Sequence, residues 1–440
     1  MRKSITAPVA LAAVLALGGC GIFKGGGHKT PTVGERVPIL VSENAAEVDK
    51  TIATIPVSLP PAEANADWPQ AGGSADKSNG QLALGADPAR QWTAQIPGGS
   101  NRARLGAAPV VAGGRLYVID VEAVVHAFDA ATGKPVWQTE LASEKKTRDA
   151  RFGGGVSVDE ARVYATDGLG EVVALDAADG KVAWRAKPGG PLRGSPTIAN
   201  GNVYVLSQDN QLFALNEADG TVAWTQSGSL ESQGVFGVAA PASSQGTVIA
   251  GFSSGELNAY RYENGRTLWQ DALSRTSGTT SVSSLADIDA DPVIDAGRVY
   301  AVGQGGRMVA VDIATGQRVW EQNFAGISTP WIAGEWLFLV TDDARLVCVA
   351  RATGKVRWIA QLQHYRVEKK KKDAITWFGP VLAGGRLVLT NSLGQIAYRS
   401  PANGESAGLT VGKVPYALPP IVAGSTLYTL NQRGQITAWR

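Results

Sequence analysis

Ser195-Pro196-Thr197-Ile198-Ala199-Asn200-Gly201-Asn202-Val203-Tyr204-Val205-Leu206 opens a stretch that continues as Gln211-Leu212-Phe213-Ala214-Leu215-Asn216. It closes on Ala218-Asp219-Gly220-Thr221-Val222-Ala223-Trp224. Asn-Gly, Asp209-Asn210 and Ala-Asp-Gly are turn signals, and they divide runs rich in β-branched and aromatic residues. The stretch reads as four short antiparallel strands.

The same pattern returns on both sides of it. A proline is followed eight residues later by a large apolar residue at Pro109/Tyr117, Pro196/Tyr204, Pro241/Ile249, Pro292/Tyr300, Pro330/Phe338, Pro380/Val388 and Pro420/Tyr428. The second copy keeps register with Val156 and Tyr164. A glycine precedes a tryptophan by four at Gly133/Trp137, Gly180/Trp184, Gly220/Trp224, Gly265/Trp269, Gly316/Trp320 and Gly354/Trp358. The seventh copy breaks that rule, with Gly404 followed by Gly408. The eighth stops at Trp439-Arg440, before its turn and last strand.

Ahead of the first full copy, Ala89-Arg90-Gln91-Trp92-Thr93-Ala94-Gln95-Ile96 looks like an isolated fourth strand. Supplying it to the last blade would leave no long edge unpaired. The expected fold is therefore all-β: an eight-bladed β-propeller of four-stranded blades, closed by an N-terminal strand in the last blade. The glycine of each copy supplies positive φ in a turn. The tryptophan reads as core between neighbouring blades, each ring covering about 150–250 Å². The proline, which donates no ladder bond, belongs at a strand start or an edge.

Upstream the chain changes character. Arg2 and Lys3 precede an apolar run from Ile5 to Leu17 that ends in Leu17-Gly18-Gly19-Cys20. This is the layout of an export signal, and the run is too short for a stable membrane span. Residues 1–19 are expected to be signal, 20–66 a low-aromatic tether rich in Gly, Pro and Ala, and 67–440 the propeller. A net charge of +2 excludes a strong electrostatic case for nucleic acid. Cys20 and Cys348 are the two cysteines, so a disulfide framework is not expected. Cys348, within Arg345-Leu346-Val347-Cys348-Val349, reads as a buried strand residue.

The runs Ala127-Phe128-Asp129-Ala130-Ala131-Thr132-Gly133-Lys134-Pro135-Val136-Trp137 and Ala174-Leu175-Asp176-Ala177-Ala178-Asp179-Gly180-Lys181-Val182-Ala183-Trp184 resemble the tryptophan-docking repeat of pyrroloquinoline-quinone propellers. Two groups share that repeat. The quinoprotein dehydrogenases typically carry an adjacent-cysteine disulfide and, in some, a Cys-x-x-Cys-His haem site; neither sequence occurs here. The chain more closely resembles the BamB family of outer-membrane protein assembly lipoproteins. That resemblance implies a lipid on Cys20, sorting to the periplasmic face of the outer membrane, no cofactor, and a scaffold role beside the barrel-forming partner BamA. Unfolded outer-membrane proteins are further possible clients. The readings left open are a quinone-dependent dehydrogenase with its cofactor in the channel, and a generic periplasmic protein-binding propeller.

Ser284-Leu285-Ala286-Asp287-Ile288-Asp289-Ala290-Asp291-Pro292 resembles the family's loop whose two aspartates contact BamA, which maps the contact onto Asp287 and Asp289. A second contact loop maps onto Gln233 to Pro241, with Val235 and with Phe236 where the family carries Arg. The spacing Asp287-x-Asp289-x-Asp291 invites a calcium reading, but Pro292 and Arg298 stand where an EF-hand needs Gly and Glu. Lys369-Lys370-Lys371-Lys372 reads as a solvated loop, with an anionic lipid or acidic partner as the sharper alternative. His28, His126 and His364 are scattered, and no catalytic or nucleotide motif falls at a suitable junction. Gly153-Gly154-Gly155 reads as a tight backbone passage.

Overall fold

Asn200 and Gly201 take φ of 55° and 72°, the left-handed pair that a two-residue hairpin demands, and similar turns recur along the chain. Between them the computed structural model, which describes residues 46–100, 103–141, 153–159, 161–192, 194–230, 239–273 and 287–440, forms eight four-stranded antiparallel sheets. The first seven are each built from consecutive strands, for example Thr197–Ala199, Asn202–Leu206, Gln211–Asn216 and Val222–Ser227 in blade three. In the eighth, Ile421–Ala423, Thr426–Leu430 and Gln435–Trp439 are joined by Arg90–Gln95, which pairs antiparallel with Gln435–Trp439. Most of the prolines stand one residue ahead of the innermost strand; Pro380 lies inside Trp377–Ala383, at a register shift. Among the described residues no helix is long and apolar enough to cross a membrane.

The tryptophan on each fourth strand that carries one is a wedge between blades. An added Cβ on Gly316 of blade five would lie 2.6 Å from Trp269 of blade four, and Gly133, Gly180, Gly220, Gly265, Gly354 and Gly404 meet the Trp of the preceding blade in the same way. The indole N–H then donates to the carbonyl three residues before that glycine. Trp92 reaches Ala130 at 3.1 Å, Trp269 reaches Ile313 at 2.8 Å and Trp358 reaches Pro401 at 3.0 Å. Opposite the Trp, the third strand carries a small residue at a bulge: Ala214 faces Trp224, and Cys348 faces Trp358. Cys348 is thus a core filler, and burial pushes its thiol well above the ordinary range.

Blade seven lacks the wedge for a topological reason. The turn that would receive it belongs to blade eight, whose last two strands are not consecutive in sequence. The aromatic mass moves across the ladder instead, with Tyr398 on the third strand facing Gly408 on the fourth. The Arg386 guanidinium lies 4.8 Å over the Tyr398 ring.

The segment before the first strand departs from the expected tether. Residues 46–66 lie against the propeller: Asp49 N donates to Val356 O at 2.9 Å, and Ile52, Val57 and Leu59 pack on the core. These apolar residues bury themselves, which composition averaged over the segment concealed.

From Asn65 the chain then runs round one face of the ring, touching every blade. Val111 and Trp68 exchange backbone bonds in blade one, Val158 N donates to Pro69 O in blade two, and Ile198 N donates to the Gln70 side chain in blade three. Ser243 N donates to Ala75 O in blade four and Ile294 N to Asp76 O in blade five. Trp331 Nε1 reaches Gly80 O in blade six, Leu82 bonds Leu382 and Gly384 in blade seven, and Gly424 N donates to Asn65 O in blade eight. An innermost strand has one ladder edge without a neighbour, and this belt supplies those backbone groups with partners.

Candidate functional site

The belt covers the face that bears the first hairpin turns. The connections between successive blades emerge on the other face, because each runs from an outermost strand to the next innermost one. A cavity of about 1190 Å³ opens among those connections. Trp68 and Trp331 stack at its belt end, with ring centroids 6.2 Å apart. Arg104, Phe378, Tyr416 and Arg433 line its wall.

Lys77, from the belt, is buried at the cavity floor. Its Nζ donates to Ala71 O at 2.7 Å and Thr197 Oγ1 at 3.3 Å. Burial lowers its pKa to about 8, against the pull of Asp291 and Asp76. Burial likewise raises Asp291, opposed by Lys77 and by the Ala240 N–H, which donates at 2.7 Å. Unfolded, Lys77 holds its proton to near 10.5; folded, it releases it near 8. Between those values the unfolded chain binds more protons, so the Lys77 contribution to stability grows as pH rises. Urea melts at pH 8 and 10 are therefore expected to shift in favour of the wild type relative to Lys77→Met. Parallel profiles for the two proteins would remove the assignment.

Asp287 and Asp289 are inside the fold, only 1% and 8% exposed. Asp289 Oδ2 accepts from Gln304 Nε2 at 2.6 Å, and Gln304 N donates to Asp287 O at 2.9 Å. Between them Ile288 is fully buried and fills the space over Gly251 of blade four. Asp289 through its carboxylate and Asp287 through its backbone carbonyl thus fasten the last part of the connection between blades four and five. The sequence brought Asp287, Asp289 and Asp291 together but gave no sign of their burial. Among the described residues no three His, Cys, Asp or Glu side chains gather into a metal-binding group. Val235, Phe236 and Cys20 lie outside the described residues.

The remaining candidates are structural. His126 Nε2 lies 2.7 Å from Asp120 Oδ2 and its ring stacks on Phe128. Gly154 takes φ of 74° and presses on the backbone of Thr166, as a tight passage requires. The lysine run, read as a loop, is a hairpin of Tyr365–Val367 and Lys372–Ala374 around a short 3-10 turn, Glu368–Lys370. Sequence reasoning missed the belt and its Lys77; the clue lay in Trp68, Gly72, Gly73 and Asn79-Gly80, a turn-rich cluster ahead of the repeat.

Solved structures share this architecture. BamB from Moraxella catarrhalis aligns with a TM-score of 0.67 at 18% identity, covering 80% of this chain and 99% of its own. A quinohemoprotein alcohol dehydrogenase from Comamonas testosteroni aligns equally, at 0.67 and 14% identity, covering 85% and 80%. At such identities the likeness establishes the fold and does not choose between the two. Sequence does. An outer membrane protein assembly factor BamB from Yersinia pestis is 28% identical over 358 residues, 80% of this chain and 88% of its own. One from Vibrio cholerae is 34% identical over 255 residues, covering 58% and 65%. The family model described as outer membrane protein assembly factor BamB matches residues 78–148 and 122–360. With more than half of its length inside that match, the chain belongs to the BamB family of outer membrane protein assembly factors.

Proposed function

We propose that the chain is a non-catalytic scaffold of outer-membrane protein assembly, anchored by lipid on Cys20 at the periplasmic face and docked on BamA through its blade connections. The observation that carries this reading is the asymmetry of the ring. The belt occupies one face, so the connection face is the one that offers loops. On it, Asp287 and Asp289 hold the base of the blade four to five connection rather than reaching outward. Their role is to set the shape of a contact loop. Val235 and Phe236 are retained as the proposed contact residues. Unfolded outer-membrane proteins would be presented from this same scaffold.

The dehydrogenase reading is weaker on chemical grounds. The cavity acids Asp289 and Asp291 are engaged by Gln304 and by the Ala240 N–H and Lys77, as struts within the wall.

Burial dictates the test. An arginine at either aspartate would break the fold, so isosteric Asp287→Asn/Asp289→Asn is the informative variant. Pull-down of envelope proteins is expected to recover BamA with the wild type and about tenfold less with the variant, at unchanged melting temperature. Equal recovery would keep the assembly role and discard the site. Absence of BamA from both would replace the reading with a propeller for another partner.

A further inference from the structure

The hairpin at Tyr365–Val367 and Lys372–Ala374 concentrates charge that the rest of the molecule does not have. Arg366 and four lysines give +5 while Glu368 and Asp373 give −2, so these ten residues carry +3 and the rest of the chain, from a total of +2, carries −1. Every side chain from Arg366 to Ala374 is exposed. The backbone is built rather than loose. Tyr365 pairs with Ala374 and Val367 with Lys372, and Lys371 takes the left-handed turn position at φ 48°, its N–H donating to Glu368 O at 3.1 Å. Trp377 Nε1 ties the base to Gln363 O at 2.9 Å.

Of the two acids that flank the lysines, Glu368 is engaged by backbone instead. Glu368 Oε1 accepts the backbone N–H groups of His364 and Tyr365 at 3.0 and 3.1 Å. Among the described residues none of Lys369 to Lys372 lies in an ion pair, although the fold pairs its cations elsewhere, as with Arg318 and Asp271 at 2.6 Å. Four consecutive ammonium groups are thus held out on a stalk, two blades along the ring from the Asp287 connection and on the same face.

We propose that this hairpin is a foot that rests on an anionic lipid surface. Lysine heads are hydrated point charges on flexible stems, and they sum over a diffuse phosphate layer without needing a matched geometry. A protein partner would call for aromatic or Arg anchors presented to a desolvated centre; the hairpin's aromatic, Tyr365, is half-buried and already stacked on His364, which leaves one Arg and an exposed Val367. Outside the hairpin the chain is close to neutral, so the attraction is local and falls off within a Debye length. The inference does not depend on the docking of BamA or on the lipid at Cys20.

Vesicle flotation with residues 21–440, which contain the whole compact propeller unit, separates the foot from the anchor. The wild type is expected to float with vesicles holding about 30% phosphatidylglycerol in phosphatidylcholine, and to be released by about 0.5 M salt. Replacement of Lys369, Lys370, Lys371 and Lys372 by Gln is expected to weaken that partition at least tenfold while leaving the thermal melt unchanged. Pure phosphatidylcholine should carry neither protein. Equal flotation of wild type and variant, or equal binding to phosphatidylcholine, overturns the proposal. So does failure of the wild type to float; retention on immobilised polyglutamate in that case would assign the hairpin to an acidic polypeptide. No partner protein is present, so these outcomes are independent of the BamA pull-down.

Discussion

Deleting residues 435–440 is expected to abolish the folded ring. Gln435–Trp439 lies between Thr426–Leu430 and Arg90–Gln95, so its loss removes two ladders at once. Ile436 and Ala438 are fully buried in it, and Leu430 and Tyr428 would be uncovered beside them. Arg90–Gln95 would then have no sheet to join, although Trp92 wedges against Gly133 and donates to Ala130 O in blade one. Two open edges and an exposed apolar face favour aggregation over a seven-and-a-half-blade ring. Size-exclusion chromatography should show the truncated chain in the void volume, with no cooperative melt. A monomer melting within about 3 °C of the wild type would refute the argument.

The second large effect is expected at Trp269→Ala. The side chain is 8% exposed, so truncation leaves a cavity between blades four and five. A buried Trp→Ala change typically costs about 3–5 kcal/mol, and the Ile313 carbonyl would also lose the indole N–H it accepts at 2.8 Å. The adjacent Leu268 is 45% exposed, and Leu268→Ala should stay within about 0.5 kcal/mol. Gly316→Ala attacks the same contact from the other side, since φ is +73° and the new Cβ would lie 2.6 Å from Trp269. Trp269→Ala keeps the Cβ at 2.6 Å but removes the ring atoms Cγ and Cδ2 at 2.6 and 3.1 Å, so part of that clash is relieved and the double variant should cost less than the two single changes added together. Denaturant midpoints give all three values. Strict additivity would mean that the two residues are not in contact.

The ring was legible because its grammar is local. Turn residues, the proline to large apolar spacing and the glycine to tryptophan spacing all sit within one blade's length. The exception at Gly404 and Gly408 was visible too, but its cause is topological. It needed the knowledge that Gln435–Trp439 and Arg90–Gln95 share a sheet. The belt was not legible. Its bonds run mostly from backbone to backbone, as between Ala75 and Ser243 or Asp76 and Ile294, and such bonds leave no mark on side-chain choice. Asp287 and Asp289 show the same limit from another direction. An acidic loop in sequence looks solvated until a partner such as Gln304 is brought to it from the neighbouring hairpin. The lysine run was correctly exposed, but its pairing into a hairpin came from the backbone again.

Arrays of repeats are commonly quasi-one-dimensional, each unit stabilised only by its two neighbours, and they can lose cooperativity as they lengthen. The belt changes that arithmetic here. Residues 65–84 hold a backbone or side-chain bond to all eight blades in ring order, so displacing one blade strains the hold on the others. A fluctuation that would peel a single blade from a solenoid must here disturb a strap common to them all. The unit of unfolding becomes the whole circle rather than the blade.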